Sequence, residues 1–207
     1  MNQEIARILL AVKAVQLRPH QPFTWSSGWR SPIYCDNRIA LSHPDARTFI
    51  KHALADAIRQ QFADVETIAG VATAGIPQGV LVADALGLPF CYVRPEPKKH
   101  GMTNQIEGEL LPNQRVVVIE DLISTGGSSL KVVDALRAAG AEVLGMVAIF
   151  TYGFAIAAEN FAEKDVRLVC LSNYESLIQE AQALDYIPAD ALDLVTAWRE
   201  NPAQWGQ

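Results

Sequence analysis

Apolar residues recur along this chain with two different periods, and the switching between them predicts its elements. Ile5, Ile8, Leu9, Val12 and Val15 fall at helical spacing with Glu4, Arg7 and Lys13 between them, which predicts an amphipathic first helix and not a secretion signal. Pro19 to Pro22 then turn the chain into Phe23 to Arg38, a segment too irregular for a helix that reads as short strands joined by a glycine turn. Ser42-His43-Pro44-Asp45 combines an N-cap serine, an early proline and a first-turn acid, so a helix opens there and runs to about Gln61. Beyond it, apolar runs at Thr67 to Val71, Phe90 to Val93, Val116 to Ile119, Val143 to Phe150 and Val166 to Leu171 alternate with helical stretches near residues 77 to 86, 128 to 139 and 154 to 163. That alternation predicts an α/β fold, an open and mainly parallel sheet flanked by helices with right-handed crossovers. Two further helices, near residues 174 to 184 and 188 to 200, close the chain.

Composition narrows the class. The 207 residues, half of them hydrophobic and 19% charged, suffice for one domain over 1–207, in which residues 1–40 form an N-terminal helix and a small hood segment. A net charge of −6 argues against a nucleic-acid or anionic-membrane surface, so any affinity for phosphate must be local. Cys35, Cys91 and Cys170 are far apart and form no Cys-x-x-Cys pair, which predicts free thiols in a reducing cytoplasm and no zinc site. No apolar run is long enough to span a bilayer.

The chemistry concentrates in Val116 to Ser129. Four apolar β-formers read as a central strand covered on both faces, and Glu120 and Asp121 emerge at its carboxyl end, where open α/β sheets bind ligands. Ser124, Thr125, Gly126, Gly127 and Ser128 follow, and the apolar period resumes at Leu130, Val132, Val133 and Leu136. Glycines let backbone N–H groups approach an anion closely, and the helix behind them turns its positive end toward it. A sugar phosphate suits this arrangement, with the acids on hydroxyls and the loop on phosphate. The run has neither the Gly-Lys-Ser/Thr ending of a P-loop nor the Gly-x-Gly-x-x-Gly spacing of a dinucleotide fold.

A second segment stands out by its length. Some twenty residues, Pro95 to Gln114, separate two strands and hold Lys98-Lys99-His100-Gly101, a basic cluster in an acidic chain. It reads as a lid that brings cations to an anionic ligand, or as a solvated hairpin whose lysines aid solubility. His20, His43 and His52 lack metal spacing and read as surface or capping residues. Phe23, Trp25 and Trp29 could stack on a base, although aromatics near a glycine turn more often close a core or a dimer contact.

With these residues assembled, the chain resembles the type I phosphoribosyltransferases, and more narrowly their orotate branch. The loop Glu120 to Ser128 carries the likeness to the superfamily, and the lid Arg94 to Gly108 and the segment Phe23 to Arg38 carry the likeness to the branch. The resemblance implies transfer of ribosyl phosphate from 5-phosphoribosyl 1-diphosphate to orotate, with Mg²⁺ carried mainly by the substrate and no confident protein ligand for it. It also implies a cytoplasmic homodimer whose lid reaches the neighbouring subunit's site. On this likeness Glu120 and Asp121 would hold ribose hydroxyls or Mg²⁺-bound water, and Leu122, Ile123, Ser124, Thr125, Gly126, Gly127 and Ser128 would cradle the 5-phosphate. Ser124 matches a position that also contacts orotate, and Arg94, Lys98 and His100 match residues that engage diphosphate. Lys98, His100 and Asp121 would then be the catalytic residues. Three family lysines are replaced by Ser26, Ala74 and Pro95, for which Arg30, Lys99 and Arg115 are candidate substitutes; Thr151-Tyr152 stands where some members place an arginine on orotate. The competing readings are a purine or uracil acceptor, and a non-catalytic regulator that binds the donor and a nucleic acid.

Overall fold

The computed structural model describes residues 1–25, 28–95 and 105–205. They fall into two compact units, Met1–Arg47 with Ser172–Gln207, and Thr48–Leu171.

In the first unit the predicted helix is α1 (Asn2–Ala11), which buries Ile5, Ala6, Leu9 and Leu10. Val15, expected on that helix, instead opens a strand: Lys13 adopts φ 59 and the chain enters β1 (Val15–Leu17). The expected short strands follow as β2 (Phe23–Thr24), β3 (Arg30–Ser31) and β4 (Ile33–Cys35), with β2 antiparallel to β3 and β4 antiparallel to β1. A 3₁₀ turn over Asn37–Ser42 occupies the place of the expected serine N-cap, and α2 (Pro44–Gln61) starts at the proline. Its helix propensity survives because Pro44 sits in the first turn, where no backbone donor is lost.

The second unit is built on a six-stranded sheet. Its strands are β5 (Thr67–Val71), β6 (Phe90–Val93), β7 (Ile106–Glu107), β8 (Arg115–Ile123), β9 (Glu142–Thr151) and β10 (Leu168–Asn173), in the order β10-β9-β8-β5-β6-β7. The β6/β5, β5/β8 and β8/β9 pairs are parallel, as predicted, and β7 returns antiparallel along β6. The crossovers carry α3 (Gly75–Leu86), α4 (Gly127–Ala138) and α5 (Ala155–Glu163). Residues of both parities in β8, Val116 to Ile119, are fully buried, which explains why this strand reads as an unbroken apolar run. The chain closes with α6 (Tyr174–Ala183) and α7 (Leu192–Glu200), which belong to the first unit. There Trp25 meets Trp29 in a stacked pair and Trp198 edge-on, with ring centroids 6.4 Å and 5.6 Å apart. The Trp25 and Trp198 indole N–H groups donate to the Ile33 and Arg30 carbonyls, so these aromatics close a core.

Close backbone approach, not bulk, sets the spacing of the second unit. A Cβ at Gly145 in β9 would lie 2.6 Å from both the Arg167 carbonyl oxygen and the Phe62 ring. Gly145→Ala should therefore lower stability by about 1–3 kcal/mol, read from the midpoint of urea unfolding. An unchanged midpoint would mean that β9 can shift away without loss.

Candidate active site

The β5–β6 crossover turns to one side of β5 and the β8–β9 crossover to the other, so the sheet reverses its order between β5 and β8. At such a reversal the loops leaving the two strands diverge and open a crevice at their carboxyl ends. Pairing of β5 with β8 ends at Gly70 and Ile119, whereas β8 continues beside β9 as far as Ile123. Glu120 and Asp121 thus lie within a strand, on a stretch bonded to one neighbour, and not beyond the strand's end as the apolar run alone suggests. Gly75 brings the next loop close: a Cβ there would overlap the Ile119 carbonyl oxygen, so the turn Ala72 to Ala74 sits beside the acids.

The two carboxylates differ. Alternation along β8 turns Glu120 to the same side as Val116 and Val118, toward α4. It is buried, its Oε2 accepts from the Ser129 hydroxyl at 2.8 Å, and its Oε1 accepts from the Asp121 N–H at 3.0 Å. Burial first, and the neighbouring Asp121 charge second, push the Glu120 carboxyl up to about 8. Asp121 is half-buried.

The loop is shaped for an anion. Gly126, at φ 80, is the N-cap of α4; no side chain caps the helix and no acid occupies its first turn. The first N–H groups of α4 consequently have no partner within the helix, and Gly127 and Ser128 are exposed. Gly126 is required as glycine: besides its positive φ, a Cβ would fall 2.5 Å from the Phe161 ring. Asn160 Nδ2 donates to the Thr125 carbonyl oxygen at 2.9 Å. Neither Ser129 nor Asn160 was singled out in the sequence. Ser129 carries a signal, as a polar residue beside Leu130 at the start of the apolar period of α4, whereas Asn160 carries none that a local pattern could show. At the neighbouring turn α3 also starts without a side-chain cap or an acid, with Ala74 in the N-cap position, so a second helix end faces the crevice where the resemblance calls for lysine.

The other expected cations distribute as follows. Lys98, Lys99 and His100 lie outside the described residues, as does Ser26. Arg94 ends the ladder of β6 with β7 and makes a loose ion pair with Glu107 at 3.6 Å. Arg115 cannot replace a missing lysine. It opens β8 at the amino end, about 16 Å from Glu120 at ordinary strand rise, and is engaged by Glu66 at 3.2 Å and Asp64 at 3.9 Å. Arg30 is exposed on β3 in the first unit. At the end of β9 the Thr151 hydroxyl accepts from the Gly153 N–H and the Tyr152 N–H donates to the Ile123 carbonyl, so these residues brace the start of the loop. Among the described residues, no group of three or more acids, imidazoles or thiols gathers to hold a metal ion, and no helix is long and apolar enough to cross a membrane.

A crevice at a sheet reversal, with adjacent acids on one strand and an uncapped glycine-led helix after it, is the site of a phosphoribosyl-transferring fold. The phosphoribosyl transferase domain family matches residues 41–180. An orotate phosphoribosyltransferase of Porphyromonas gingivalis is 57% identical over 206 residues, 100% of this chain and 98% of its own length. The crystal structure of orotate phosphoribosyltransferase from Aeropyrum pernix is 32% identical with a TM-score of 0.77, covering 89% of this chain and 99% of that one. The structure of Leishmania donovani UMP synthase is 26% identical with a TM-score of 0.79, over 96% of this chain and 42% of that one. The chain belongs to the phosphoribosyltransferase family, in its orotate phosphoribosyltransferase branch.

The Glu120 carboxyl generates a pH test. Its folded pKa near 8 stands above the unfolded value of 4.5, so the folded chain holds a proton that the unfolded chain releases. This contribution to stability is complete below about pH 4.5 and is lost as pH rises toward 8. Glu120→Gln keeps the shape and removes the titration. Its thermal midpoint should rise relative to wild type across that window, at about 2–4 °C per kcal/mol. Melting curves that run parallel from pH 5 to 8 would show that Glu120 is ionised in the folded chain throughout.

Proposed function

We infer that this chain transfers the ribosyl phosphate group from 5-phosphoribosyl 1-diphosphate to orotate, forming orotidine 5'-monophosphate and diphosphate in pyrimidine biosynthesis. The observation that carries the reading is the placing of Glu120 and Asp121 beside the uncapped start of α4, within a chain whose whole length aligns with orotate phosphoribosyltransferases. The loop Leu122 to Ser128 would bind the 5-phosphate through backbone N–H groups, which suits a chain of net charge −6 with few cations to spare. Asp121 and Glu120 would hold the ribose hydroxyls, with Ser129 fixing the orientation of the Glu120 carboxyl group. Ser124, at the mouth of the loop, would also meet orotate.

Departure of diphosphate leaves a cationic centre at C1 of the ribose and a highly charged leaving group, so the protein's task is positioning and electrostatics, not nucleophilic attack. Arg94 is suited to the leaving group because its half-buried pair with Glu107 is long, at 3.6 Å, and so open to exchange for phosphate. Lys98 and His100 would stabilise the departing diphosphate from the lid, which would also exclude water from the donor. Oxygen donors such as Asp121 fit a hard cation, and with no larger cluster among the described residues Mg²⁺ would be held mainly by the donor, with Asp121 contributing directly or through water. When bound, it neutralises charge on the diphosphate. We take the working form to be a cytoplasmic homodimer in which each lid serves the neighbouring site.

The reaction is read from the loss of orotate ultraviolet absorbance on adding 5-phosphoribosyl 1-diphosphate and Mg²⁺, with uracil, hypoxanthine and adenine as parallel acceptors. Turnover with orotate alone is expected; equal turnover with another base, or none with orotate, overturns the reading. Lys98→Ala should lower turnover by about 10²–10³, the scale of one lost transition-state donor, with a smaller change in orotate affinity. Wild-type turnover in that variant would remove Lys98 from the chemistry.

A further inference from the structure

One helix outside the acid-and-glycine run touches the loop at two successive residues. Asn160 on α5 donates its side-chain N–H to the Thr125 carbonyl oxygen at 2.9 Å, and the ring of the next residue, Phe161, lies against Gly126. We propose that Asn160 is a positioning residue for the transfer reaction: it fixes the rotation of the Thr125–Gly126 peptide so that the loop presents an N–H, and not a carbonyl oxygen, to the donor's 5-phosphate. The proposal rests on the reading of Leu122 to Ser128 as the phosphate cradle.

In a planar trans peptide the carbonyl and the following N–H point to opposite sides. Anchoring the Thr125 oxygen on α5 therefore aims the Gly126 N–H away from α5. With this peptide reversed, a partial negative charge would face the anion and one donor would be lost. Nothing intrinsic to Gly126 prevents reversal, because a glycine tolerates the backbone angles of either arrangement. The restraint has to come from outside the loop, and α5 supplies it in two parts. Phe161, buried in the core with Ala157, blocks movement of Gly126 toward the helix, and Asn160 sets the rotation of the peptide. Asn160 lies 35 residues beyond Thr125 in the chain. Its amide is half-buried, which makes the bond less exchangeable with water than an exposed one would be.

The test follows the Gly126 amide by ¹⁵N–¹H NMR during titration with inorganic phosphate, in wild type, Asn160→Ala and Asn160→Asp, together with KM for each substrate. Aspartate keeps the shape of asparagine and replaces its donor with an acceptor that repels the Thr125 oxygen. If alanine compromises folding, aspartate carries the comparison. In wild type, phosphate should shift the Gly126 resonance. In the variants the phosphate Kd and donor KM should rise by roughly two- to tenfold, the loss of one neutral hydrogen bond, with more for aspartate; orotate KM and the thermal midpoint should change little. A responsive wild type with equally responsive variants and unchanged donor KM overturns the role of Asn160 alone. Donor KM, orotate KM and thermal stability all worsening together also overturn it, since that pattern marks a general structural residue. A wild-type Gly126 resonance indifferent to phosphate overturns the cradle itself, and the proposal with it.

Discussion

The site depends on β8 outrunning β5. The two strands pair only as far as Gly70 and Ile119, and β8 then continues for four residues supported by β9 alone. That overhang holds both acids in extended backbone, where alternation sends Glu120 toward α4, and it delivers the chain to Ser124 already at the mouth of the crevice. Had β8 ended with its partner, the acids would lie in a loop with no fixed direction. The long pairing with β9, through Thr151, is what makes the overhang rigid.

A buried carboxyl at this point costs free energy that the fold offsets only in part. Two donors, the Ser129 hydroxyl and the Asp121 N–H, reach Glu120, yet no cation among the described residues is given to it, so burial raises its affinity for a proton. The same economy shows in the anion contacts. Instead of lysine, the turn after β5 has Ala74 before an uncapped helix, and α4 starts likewise without a cap or an acid. The positive ends of two helices are thus left open at the crevice.

Glycines at Gly75 and Gly126 serve this arrangement differently. Gly75 allows α3 to lie against the carbonyl of Ile119 and so draws the Ala72 to Ala74 turn to the acids, while Gly126 allows the loop to close on Phe161 with its carbonyl secured by Asn160. Either side chain would separate elements that the site needs in contact. The chemistry of the loop is therefore as much a matter of what surrounds it as of the serines and threonine it contains.

Local period and residue type suffice for much of this. The parallel strands, the helices between them, the glycine-led loop and the adjacent acids are all legible, because alternation of 2 and 3.6 and the special backbone of glycine are properties of short stretches. Two misreadings have equally local causes: Val15 continues the apolar period of α1 although the helix stops before it, and Ile119 ends the unbroken apolar run of β8 although the strand continues to Ile123. Tertiary structure decided the rest. It set Arg115 among acids at the far end of its strand, buried Glu120 against Ser129, grouped the C-terminal helices with the N-terminal segment, and brought Asn160 to a carbonyl 35 residues away. Each of these follows from register and packing between distant segments, which no window along the chain contains.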